Sequence, residues 1–211
     1  MDGTLVDSEK VWSVGLDQLA EHLGGRLSDP ARRAMVGTSM SQSMRILHDD
    51  LGIDADAAES VRYLEERVSV MFADGLVWRP GAPELLAAVR SAGVPTALVT
   101  ATRRHLVEVA LLTLGPHNFD AVVAGDDLDE TKPHPAPYRT AAELLRADPR
   151  RCVAVEDSPN GITSALAAGC VVVGVPCEVG LDHLNDIHLV DSLADLSVDG
   201  LRNLVAAAHA L

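Results

Sequence analysis

The stretch Cys152-Val153-Ala154-Val155-Glu156-Asp157-Ser158 sets a short apolar run directly against two carboxylates and a hydroxyl. A short, continuous, β-branched run of this kind fits a strand of a parallel sheet buried on both faces. Three other runs share its character: Thr96-Ala97-Leu98-Val99, Ala121-Val122-Val123-Ala124 and Val171-Val172-Val173-Gly174-Val175. Amphipathic segments from Pro83 to Ala92, Thr102 to Leu114, Pro135 to Arg146 and Pro159 to Ala168 lie between and beside them and supply the crossovers, with stops at Gly93, Gly115 and Gly169. The fold class expected is α/β, a doubly wound Rossmann-like parallel sheet.

Upstream of Arg79-Pro80-Gly81 the pattern is helical. Trp12, Leu16, Leu19, Ala20 and Leu23 recur at helical spacing up to Gly24-Gly25. A second helix is bracketed by Ser28 with Pro30 and by Gly37, a third carries Met44, Leu47 and Leu51, and a fourth aligns Val61, Leu64, Val68 and Met71. No strand alternates with them. The domain organisation expected is therefore a discontinuous core, residues 1–10 and 79–211, with an inserted all-helical unit, residues 11–78.

With 211 residues and 47% hydrophobic content, the chain can bury a sizeable core. It has no apolar run near the length of a membrane span, and its charged opening does not resemble a signal peptide, so a cytoplasmic location is expected. Cys152, Cys170 and Cys177 form no metal-ligand spacing and read as free thiols. A net charge of -14 argues against nucleic acid or an anionic membrane as partner. A monomer is the expected state. Of the seventeen basic residues only Lys10 and Lys132 are lysine, which singles out Lys132 in an acidic chain.

In a doubly wound sheet, ligands bind beyond the carboxyl ends of the strands. The residues there are Thr100-Ala101-Thr102, then Thr131-Lys132-Pro133-His134-Pro135 beyond Asp126-Asp127, then Glu156-Asp157-Ser158. Thr102 and Ser158 read as helix caps. A hydroxyl, a lysine and paired carboxylates at one sheet edge combine a phosphate donor, a charge neutraliser and a hard oxygen site for magnesium, the requirements of phosphoryl chemistry.

With Met1-Asp2-Gly3-Thr4-Leu5-Val6-Asp7-Ser8 at its head, then Thr100, Lys132-Pro133-His134-Pro135 and Val155-Glu156-Asp157-Ser158, the whole chain resembles the haloacid dehalogenase superfamily with an inserted helical cap. Ser8-Glu9-Lys10-Val11-Trp12 and Asp157-Ser158-Pro159-Asn160-Gly161 resemble sugar-phosphate phosphatases of the 2-deoxyglucose-6-phosphate and hexitol-phosphate type. The resemblance implies a magnesium-dependent phosphatase for a small phosphorylated metabolite, a sugar or polyol phosphate, working through an aspartyl-phosphate. Asp2 matches the general acid and base, Thr100 and the amide near Ala101 the phosphoryl-binding groups, and Lys132 the charge neutraliser. Thr102 joins them as a substrate-binding residue. Asp157, Glu156 and the Asp2 carbonyl match the magnesium ligands. Halide leaves without a proton whereas a sugar alkoxide needs one, so an acid at Asp2 favours ester hydrolysis.

The nucleophile would stand just before Met1, at the end of a central strand, and the natural chain is expected to begin about one strand earlier. A non-catalytic sugar-phosphate binder is the alternative if it does not. A β-phosphoglucomutase-like phosphomutase is another, weakened by Met40 and Trp12 where that enzyme's arginine and histidine would align. In the cap, Gly37, Thr38, Ser39 and Gln42 resemble a substrate-reading loop, although Ser39, Ser41 and Gln42 equally suit a helix cap. Trp12 suits either a sugar face or core packing.

Overall fold

The computed structural model describes residues 1–35 and 38–209. The chain forms two compact units, one of Met1–Asp7 with Val77–Leu211 and one of Ser8–Leu76.

The first unit is α/β. Its strands are β1 (Val6–Asp7), β2 (Val77–Trp78), β3 (Ala97–Val99), β4 (Ala121–Val123), β5 (Val153–Glu156), β6 (Val171–Gly174) and β7 (His188–Leu189). β1 and β2 pair antiparallel, while β3 and β4 pair parallel with Leu98 opposite Val122. β5, β6 and β7 form a second parallel set in which Val155 lies opposite Val173 and Glu156 opposite Gly174. The parallel strands thus form two hydrogen-bonded sets rather than one continuous sheet. β3 and β5 do not pair with each other. Both line a cavity of about 720 Å³ whose wall is mostly apolar and includes Leu98, Val155, Ala141 and Val205.

The helices of this unit are α5 (Ala82–Ser91), α6 (Arg104–Leu114), α7 (Ala136–Leu144), α8 (Pro159–Ala168) and α9 (Val198–Ala208). Helix α8 is locally well specified. The Ser158 side chain accepts from the Gly161 amide, Pro159 occupies the first turn, and Gly169 closes the helix at φ +96. Helix α6 starts two residues later than its sequence suggests, because Thr102 does not cap it and Arg103 takes the extended position before it. Ala154, Ile162, Ala165 and Val172 bury one side of the β5–β6 pair, and Val173, Val175 and Leu193 belong to a second apolar cluster.

The second unit is helical: α1 (Glu9–His22), α2 (Asp29–Met35), α3 (Met40–Leu51) and α4 (Ala57–Ala73). Helix α4 begins at Asp56, whose carboxylate accepts from the Ala58 and Glu59 amides. Helix α3 ends at Gly52 in the left-handed region. Leu19, Met44, Leu47, Leu64, Val68 and Phe72 are fully buried. Buried His48 and Ser60 hydrogen-bond each other at 2.9 Å, joining α3 to α4. No described helix is long and apolar enough to cross a membrane.

Candidate active site

The N-terminal loop lies between the ends of β3 and β5, and side-chain hydrogen bonds fasten it to both. On the β3 side, Thr102 Oγ1 donates to Asp2 Oδ2 at 2.7 Å, and the Thr102 amide donates to Thr100 Oγ1 at 3.1 Å. This tertiary bond is why Thr102 is not a cap. On the β5 side, Thr4 Oγ1 donates to Asp157 Oδ1 at 2.7 Å. Gly3, at φ +67, makes the approach possible, since a Cβ there would lie 2.1 Å from Asp157 Oδ2.

Lys132 ties the two strand ends together. Its ammonium donates to the Val99 carbonyl at 3.0 Å, at the end of β3, and to Glu156 Oε1 at 2.5 Å, at the end of β5. The Lys132 and Glu156 side chains are only 10% and 5% exposed. The Tyr138 hydroxyl donates to the same Glu156 oxygen, and Ser158 Oγ donates to Oε2 at 3.3 Å. Gly161 gives that carboxylate room, because a Cβ at this position would lie 2.0 Å from Oε2. Among the described residues no buried side-chain nitrogen or oxygen lacks a partner.

Electrostatics separates the two adjacent carboxyls. Burial pushes Glu156 up, but the Lys132 ammonium, the Met1 amino group and the hydrogen bonds from Lys132 and Tyr138 outweigh it and hold the carboxyl below its ordinary value. Burial raises Asp157, and the Met1 amino group and Thr4 offset that only in part. Tyr138 is pushed well above the ordinary phenol value by burial and by the Glu156 charge.

The structure thus brings Asp2, Thr100 and Thr102 into one chain of contacts and Lys132 and Glu156 into another, with Asp157 reached through Thr4. Ala101 is exposed and forms the turn between Thr100 and Thr102. Asp2, Glu156 and Asp157 are not gathered as a ready metal cluster. Among the described residues no three His, Cys, Asp or Glu are so arranged, since Glu156 turns to Lys132 and Tyr138 and Asp157 to Thr4. Their chemistry nevertheless fits a hard cation. All are oxygen donors, and Asp157 is a substantially buried carboxyl whose burial is only partly offset.

In the helical unit, Trp12 lies edge-on to Phe72 with ring centroids 6.3 Å apart, which gives it a packing partner. Ser39 caps α3 by accepting from the Gln42 amide. Thr38 Oγ1 donates to the Met35 carbonyl at 2.8 Å. Gly37 lies outside the described residues. Arg104 is held by Asp127 and the Val122 carbonyl, and His134 pairs with Glu130.

Sequence reasoning missed Thr4 and Tyr138 as parts of this network. The available signal for Tyr138 was its rarity, since the chain contains two tyrosines.

The sequence model of the haloacid dehalogenase-like hydrolases matches residues 1–169, and the chain belongs to that family. It is an enzyme of the phosphoric monoester hydrolase class. It is 32% identical to hexitol phosphatase A of Escherichia coli over 211 residues, covering 94% of this chain and 91% of that one. It is 33% identical to phosphoglycolate phosphatase of Neisseria meningitidis over 185 residues, covering 83% and 77%. Among solved structures it resembles CbbY from Rhodobacter sphaeroides in complex with xylulose-(1,5)bisphosphate, with TM-score 0.82, 28% identity and coverage of 95% and 96%.

Proposed function

We propose that this chain hydrolyses the phosphate ester of a small sugar or polyol through an aspartyl-phosphate, with the attacking carboxylate on a residue preceding Met1. The observation that carries the reading is the placement of the Asp2–Thr4 loop, fastened to Thr102 on one side and Asp157 on the other, with Lys132 bound at both strand ends. The Met1 nitrogen lies close to Glu156 and Asp157, so a residue joined to it would stand beside both carboxylates. The apolar cavity between β3 and β5, which Met1 also lines, is in keeping with an apolar strand leading to that residue.

In this reading Asp2 gives a proton to the departing alkoxide and then takes one from the attacking water. Thr100 and the backbone at Ala101 hold phosphoryl oxygens. Lys132 offsets the charge crowded between carboxylate and phosphate. Magnesium, held by Asp157, the Asp2 carbonyl and Glu156, would neutralise further phosphate charge. Asp2 is pre-oriented by Thr102, whose hydroxyl donates to its carboxylate. Trp12, Gly37, Thr38, Ser39 and Gln42 of the helical unit are proposed to read the leaving group, a role that rests on the family resemblance alone.

The test is phosphate release from hexitol, hexose and phosphoglycolate esters by a chain extended with an apolar strand and aspartate directly before Met1. Magnesium-dependent turnover is expected, with loss on replacing that aspartate by asparagine. No turnover on any ester overturns the reading. Release to water, rather than transfer to a second sugar position, distinguishes hydrolysis from phosphomutase activity.

A further inference from the structure

We infer that Tyr138, which no motif singles out, is a positioning residue that sets the Lys132 ammonium for an anion at the strand ends. The inference rests on the proposed role of Lys132 in binding phosphate.

Lysine carries its charge on a flexible stem with three rotatable donors, so one partner does not fix its direction. Here two donors are used, on the Val99 carbonyl and on Glu156 Oε1. Tyr138 acts on both members of the ion pair. Its hydroxyl shares Glu156 Oε1 with Lys132, and its ring lies 5.1 Å from Lys132 Nζ, within cation–π range.

Tyr138 can act as a fixed reference because it is only 9% exposed and belongs to α7, where it packs in the cluster with Ala154 and Ile162. Glu156 is confined from its other side by Ser158 and by the close approach of Gly161. The carboxylate therefore has little freedom to follow the lysine, and the lysine must follow the carboxylate and the ring. Its third N–H is left for an anion. Deleting the phenol oxygen alone keeps the ring and the packing but gives Oε1 wholly to Lys132, drawing the ammonium toward Glu156.

Because Lys10 and Lys132 are the chain's lysines, side-chain ammonium NMR yields two signals, assigned with Lys10→Arg. In the full chain, Tyr138→Phe is expected to move the Lys132 signal and leave Lys10 in place, with the melting temperature lowered by only a few degrees for the lost buried hydrogen bond. Calorimetric titration with inorganic phosphate should show affinity weakened roughly tenfold, the size of one charge-assisted hydrogen bond. Lys132→Ala should lose binding altogether.

An unmoved Lys132 signal overturns the inference, as does phosphate affinity equal to the parent's. A parent chain that binds no phosphate refutes the anion-binding role of Lys132, while the lysine signal still decides whether Tyr138 orients it. If Tyr138→Phe does not fold, 3-fluorotyrosine at Tyr63 and Tyr138 tests the same contact. The more acidic phenol should move the Lys132 signal, and no movement overturns the inference.

Discussion

Replacing Lys132 by methionine keeps the length of the side chain and removes its charge, leaving Glu156 buried with Tyr138 and Ser158 as neutral donors. The wild-type pair is 10% and 5% exposed, so solvent does little to compensate the stranded carboxylate. Removing one partner of a buried ion pair costs about 3–5 kcal/mol, a large share of the ~5–15 kcal/mol that holds a domain together. The pH dependence has a definite sign. With Lys132 present the folded Glu156 carboxyl is depressed, so its stabilising contribution stands above the ordinary carboxyl value and is lost as pH falls through the folded one. Without Lys132 burial dominates and the carboxyl rises, so the variant's deficit is greatest at neutral pH and shrinks on acidification. Urea denaturation followed by far-ultraviolet circular dichroism at pH 7 and pH 5 measures both quantities. The double variant Lys132→Met with Glu156→Gln should recover at least half of the loss, because no charge then remains stranded. A neutral-pH deficit below about 1 kcal/mol, well under the range for a broken buried pair, would refute the reasoning. So would a deficit that grows on acidification, or a double variant no more stable than the single one.

Two further substitutions probe the same architecture. In an open helix Gly161→Ala would gain about 1 kcal/mol from propensity. Here the new Cβ would lie 2.0 Å from Glu156 Oε2, so thermal denaturation should show a net loss of about 1–3 kcal/mol instead. In the helical unit, Ser60→Ala leaves the buried His48 Nε2 without its 2.9 Å partner, and denaturant titration should show a loss of about 1–3 kcal/mol. A Gly161→Ala protein more stable than wild type, or a Ser60→Ala protein indistinguishable from it, would count against these contacts.

The elements legible in the sequence are those specified locally. The run Val153-Ala154-Val155 shows itself as a doubly covered strand because no alternation interrupts it, and α8 because Ser158, Pro159 and Gly169 mark its ends by their own chemistry. The start of α6 was misjudged because the Thr102 hydroxyl, a good cap in isolation, is taken by Asp2 a hundred residues away. The short β1–β2 pairing has two residues on each strand and leaves no periodicity to read. Thr100, Lys132, Glu156 and Asp157 could be picked out because parallel topology directs attention to strand ends. Thr4 and Tyr138 could not, since their meaning is tertiary. Tyr138 reads as one more apolar position on α7 until its hydroxyl is seen against Glu156. The separation of β3 from β5 was legible only through the family resemblance, which places a central strand just before Met1, since strand runs by themselves do not show which neighbours stand apart.

That separation gives the polar groups a second duty. β3 and β5 share no ladder hydrogen bonds, and the space between them is the one that the proposed strand leading to Met1 would occupy. Across the interruption run Thr102 to Asp2, Thr4 to Asp157, and Lys132 to both Val99 and Glu156. These bonds act as a clasp between the half-sheets, made from the groups proposed to perform the chemistry. Cohesion and reactivity share atoms at this edge, so substitutions there trade one against the other.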